Sequence, residues 1–169
     1  MKITKIKIKN WRGGYVLLET IFYIALFAIL SIAVIDALAT MTKSFKETTI
    51  QAELMQGGDI MERISREIRQ ASSVNSISIN DLKLSSVSSI GVNKTIEFLL
   101  SGSDIQLLEN GSFVANLNTQ NLTVVSLTFA QINTVKGVAV KVFLRVMSKH
   151  DTFERNQDFY DTVVLRGSY

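Results

Sequence analysis

The sequence predicts an α+β protein. A single long N-terminal α-helix, membrane-spanning in its first half, should pack through its second half on a C-terminal antiparallel β-sheet. Three observations carry this. Tyr15 to Leu38 is an almost unbroken apolar run; beyond it apolar residues recur at helical spacing among charges; and from Ser72 onward Ser, Asn and Gly become frequent while apolar residues alternate. The chain accordingly divides into a basic leader (1–14), an apolar helical segment (15–38), an amphipathic continuation of the same helix (39–71) and a β-rich domain (72–169).

The leader carries Lys2, Lys5, Lys7, Lys9 and Arg12 and no acid, and it ends in Gly13-Gly14. Basic residues ahead of an apolar segment favour a cytoplasmic N-terminus and an exported C-terminal domain. An ordinary secretory signal places its small-residue cleavage site after the apolar core. Here the small residues come first. A cut after Gly14 would remove the leader, retain the membrane segment and create a new α-amino group on Tyr15. Glu19 would then lie one helical turn further on.

As a helix, Tyr15–Leu38 would extend roughly 36 Å, against a bilayer core of about 30 Å. Two carboxylates interrupt it. Asp36 stands at the far end, within reach of headgroups. Glu19 stands inside the apolar part, where an unpaired charge is costly. A carboxylate near a helix N-terminus complements the macrodipole, but that suits a helix beginning in water rather than in lipid.

Basic leader, Gly14, Tyr15, Glu19 and the apolar run together resemble the class III signal of type IV pilins and type II secretion pseudopilins. The layout beyond residue 45 resembles that of J-type and W-type minor pilins. The resemblance implies a pilin-like fold and a subunit of a pilus or pseudopilus. It implies cleavage by a prepilin peptidase between Gly14 and Tyr15, and N-methylation of Tyr15, where the family usually has Phe. Glu19 matches the family's assembly glutamate, which pairs with the α-amino group of a neighbouring subunit. The implied partners are the peptidase, other pilin or pseudopilin subunits, the inner-membrane assembly platform and the membrane itself. The implied location is the cytoplasmic membrane, single-pass, and then the fibre. Two other readings stay open: an uncleaved, membrane-anchored binding or sensor domain, and a soluble exported protein cut after the apolar run.

Composition narrows the rest. From Tyr15 onward thirteen basic residues face fifteen acids, so the basic pI belongs to the leader and gives no support to direct nucleic-acid binding. Cysteine is absent, which excludes disulfides, a lipoprotein anchor and thiolate metal sites. Proline is absent too. Major pilins commonly carry a helix proline where this chain has Asp36, so no proline kink is expected.

In the second half of the helix, Met41, Phe45, Ala52, Met55, Ile60, Ile64, Ile68 and Ala71 form the expected apolar face, and Glu62–Arg66 has the favourable order for an i,i+4 pair. Gly57-Gly58 weakens the helix and reads as a tolerated kink or close packing, a hinge, or a break. Strands are expected at 74–79, 82–85, 95–100, 105–109, 113–117, 122–132, 138–147 and 159–166, with turns at Ser101–Asp104 and Asn110–Ser112. Residues 72–93 look the most loop-like. The alternation Val138, Val140, Val142, Leu144, Val146 against Lys141 and Arg145 predicts a sheet covered on one face by the helix.

No enzyme constellation and no cofactor motif emerge. His150, the one histidine, reads as a solvated loop residue. Asp151, Glu154, Asp158 and Asp161 are interleaved with Arg155 and lack the spacing of a calcium loop, so they too read as solvated and no metal ligand is assigned.

Overall fold

The computed structural model describes residues 13–87, 91–135 and 137–166; the leader expected at 1–14 lies outside them except for its two glycines. One helix, α1, runs from Gly13 to Gln70. Eight strands follow among the described residues: β1 (Ala71–Ile77), β2 (Asp81–Val87), β3 (Asn93–Ser101), β4 (Asp104–Glu109), β5 (Ser112–Asn116), β6 (Leu122–Thr134), β7 (Gly137–Ser148) and β8 (Asn156–Val164). They form two antiparallel sheets rather than the single expected one, β1-β2-β3-β4-β5 and β6-β7-β8, with sequence neighbours paired inside each. The fold is therefore a long helix packed against antiparallel sheets.

Contacts divide the chain into two units, Met1–Phe45 and Lys46–Tyr169. In the first, the described residues belong to α1, and the large apolar side chains from Tyr15 to Leu38 are exposed. The apolar window of this helix is long enough to cross a membrane, and none of it is buried within the protein.

The second unit holds the core. Ile60, Met61, Ile64 and Ile68 of α1 cluster with Leu82, Leu84, Ile96, Phe98, Ile105 and Leu107 of the larger sheet, and with Leu127, Val140, Val142, Leu144 and Val146 of the smaller one. On β7 the predicted alternation holds: Val140, Val142, Leu144 and Val146 are fully buried, while Lys141 is exposed and Arg145 half-buried.

The helical face differs from expectation at its start. Met41, Phe45, Ala52 and Met55 are exposed; the buried line is Ile50, Glu53, Gly57, Ile60, Ile64 and Ile68. A glutamate and a glycine on the inner face concealed that line from an apolar pattern. Ala71 opens β1 rather than closing the helix; the strands expected at 74–79 and 82–85 form as β1 and β2, so residues 72–87 are less loop-like than their composition suggests. Register shifts interrupt β1 near Ser73 and Ser76, which explains its irregular pattern. Glu62 and Arg66 are both exposed and form no ion pair. The Asn110-Gly111 turn forms as expected, both residues in the left-handed region (φ 52° and 79°) that joins twisted strands tightly.

α1 runs unbroken through Gly57-Gly58. Gly57 is buried beneath the Phe159 ring, and a Cβ there would collide with the ring and come 3.0 Å from Val146 Cγ2. The close-packing reading of this pair is the one the structure shows. At Gly58 the nearest atom to a Cβ is Phe159 Cε1, at an ordinary 3.6 Å. The two glycines should therefore respond oppositely. Gly57→Ala should destabilise by about 1–2 kcal/mol, overpacking outweighing its gain in helix propensity. Gly58→Ala should stabilise by about 0.5–1 kcal/mol. Urea melts of a fragment beginning at Lys46 would separate them.

Candidate functional site

Gly14 and Tyr15 lie in the first turns of α1, and Tyr15 is exposed. Glu19 follows Tyr15 by four residues of continuous helix, which places the two on one face. Glu19 is exposed within the apolar surface. The Tyr23 hydroxyl donates to Glu19 Oε1 across 3.3 Å. Sequence reasoning missed Tyr23, although its i+4 spacing from Glu19 was visible. Hydroxyls along the helix are satisfied internally: Thr20 donates to the Val16 carbonyl, Ser31 to Phe27 and Thr42 to Leu38, at 2.8–2.9 Å. Such i−4 bonds let polar side chains sit on an apolar surface without a water partner. This single N-terminal apolar helix is compatible with a single-pass membrane anchor.

A second polar group lies in the other unit, where the segment between β7 and β8 meets the start of that unit's helix. Glu53 is buried on the inner face of α1. The Ser148 hydroxyl donates to its Oε2, and His150 Nδ1 stands 2.8 Å from its Oε1. Arg155 grips Glu47 with both terminal nitrogens, at 2.7 and 2.9 Å, and donates through Nε to Asp151 Oδ2 at 2.7 Å. Asp151 also accepts the backbone N–H groups of Phe153 and Arg155.

These contacts correct the expectation of a solvated acidic loop. His150 is exposed in a turn, as expected, yet bound to Glu53, and Asp151 is buried. Asp158 forms a bidentate pair with Arg145, and Asp161 accepts the Ser65 hydroxyl. Asp151, Asp158 and Asp161 thus have separate partners, while Glu154 is exposed as expected. Among the described residues no group of three His, Cys, Asp or Glu side chains is placed to hold a metal. Ser148 donates to Glu53 rather than to His150, so the cluster lacks the geometry of an activated nucleophile. It fastens a loop to a helix.

The Arg155 guanidinium, with the two backbone donors, holds the Asp151 carboxyl down at about 2, from an ordinary 3.8. A depressed carboxylate stabilises the fold above its unfolded value, and that contribution disappears as pH falls through the folded one. Parent protein should therefore lose thermal stability more steeply than Asp151→Asn between pH 4 and pH 2. Parallel melting curves over that interval would remove Asp151 from the acid response.

Comparison with known proteins identifies no relative: no family model, curated protein or solved structure matches the chain.

Proposed function

We propose that the chain is a minor pilin or pseudopilin, a structural subunit rather than an enzyme. It is made as a precursor, held in the cytoplasmic membrane by α1 and assembled through that helix into a type IV pilus or type II secretion pseudopilus. The observation that carries the reading is Glu19: a carboxylate on an exposed apolar helix, five residues after the glycine, Gly14, that separates it from a basic leader. A plain anchor has no use for that charge, and an ordinary signal peptide places its small residues elsewhere. Prepilin peptidase would cut after Gly14 and methylate Tyr15. The resulting cationic amine of one subunit would meet Glu19 of another in the fibre core, where no water competes.

The N-terminal sequence of the mature protein tests this. Tyr15 as first residue supports the pilin reading, Met1 the uncleaved anchor, and a residue beyond Leu38 the soluble exported protein. A bulky side chain at the cleaved position should block the peptidase. Gly14→Val should accumulate a precursor longer by the fourteen leader residues. Trimming as efficient as the parent's would place the cleavage site elsewhere.

A further inference from the structure

We infer that Tyr23 is a positioning residue for Glu19: its hydroxyl holds one carboxylate oxygen and so presents the other to the incoming amine of a neighbouring subunit. This rests on the assembly role proposed for Glu19. Tyr23 stands four residues after Glu19 on α1, and its hydroxyl donates to Oε1 across 3.3 Å. Both side chains lie on an apolar surface, exposed within the protein, that would face lipid. There neither a phenol nor a carboxylate finds water, so each is the other's nearest remedy. The pair has the order that suits a helix, carboxylate first and donor one turn later.

One donor engages one oxygen, which limits rotation of the carboxyl group. Oε2 stays open, so an ammonium can add to the pair without displacing the tyrosine. A charged acceptor with one partner in place needs less reordering when the second arrives. Phenylalanine at the same position would keep the ring and lose only this bond.

The test compares Tyr23→Phe, Glu19→Gln and the double variant in cells, by blotting sheared fibres and membranes. Tyr23→Phe should be cleaved normally and enter fibres about three-fold to ten-fold less, the range expected for one hydrogen bond in a membrane. The double variant should be no worse than Glu19→Gln. A parental level for Tyr23→Phe beside a loss for Glu19→Gln would overturn the positioning role and leave the pilin reading intact. Parental levels for both would overturn that reading as well. Additive losses would mean that Tyr23 acts by packing. Infrared spectroscopy of the full chain in lipid gives an independent readout. The carboxylate band found by subtracting the Glu19→Gln spectrum should shift in Tyr23→Phe, and an unmoved band would also overturn the inference.

Discussion

A fragment beginning at Lys46 should melt cooperatively, and within it Ile64→Ala and Ile68→Ala should each cost about 2–5 kcal/mol. Both side chains are fully buried, one helical turn apart, in the cluster that joins α1 to the two sheets. Alanine leaves a cavity that surrounding strands fill only partly, and the cost grows with what remains empty. Against a typical stability of about 5–15 kcal/mol, the double variant should be largely unfolded at room temperature. The cavities adjoin, so the two losses need not add. A fragment beginning at Ser72 lacks the helix altogether. It would expose Leu82, Leu84, Phe98, Val140, Val142 and Leu144, all fully buried in the complete domain, and should aggregate rather than fold. Equal melting temperatures for fragments starting at Lys46 and Ser72 would show that the helix adds nothing to the core.

Asn118→Leu should cost about 3–4 kcal/mol, a large effect for a residue outside every strand. Asn118 is buried between β5 and β6. Its Oδ1 accepts the Ile105 N–H at 2.9 Å, and its Nδ2 donates to the Leu122 carbonyl and to Asp104 Oδ1, both at 2.9 Å. One amide thus ties the start of β4 in the larger sheet to the start of β6 in the smaller. Leucine preserves much of the volume but strands a backbone donor and a backbone acceptor where water has little access. Each such group carries a desolvation penalty of about 1–3 kcal/mol. Asn118→Asp keeps the acceptor, loses the donor and places a second carboxylate beside Asp104, so it should be destabilising as well. A urea midpoint unchanged in Asn118→Leu would show that the amide contributes nothing net to the junction.

Much of this protein was determined by local sequence. The helix from the diglycine to Gln70 follows from an apolar run without proline and then isoleucines at four-residue spacing; the strands follow from alternation, and the Asn110-Gly111 hairpin from residues that tolerate positive φ. These signals need only near neighbours to express themselves. The apolar first half of α1, exposed along its length, likewise follows from composition, as does the isolation of Glu19 within it.

Tertiary structure decided what local pattern could not. Gly57 looked like a weakness in a helix and is the flat seat of the Phe159 ring, a contact between residues far apart in sequence. Glu53 interrupted the apolar period and belongs to the inner face, because Ser148 at the end of β7 and His150 just beyond it arrive to satisfy it. Asp151, Asp158 and Asp161 looked like parts of one solvated cluster, yet Arg155, Arg145 and Ser65 draw them apart. Two sheets form where one was expected, with Asn118 bridging β4 of one and β6 of the other. The physical reason is common to all four. A buried polar group or a missing side chain is tolerable only when a distant partner fills the need it creates, and that partner becomes adjacent only when the chain has folded.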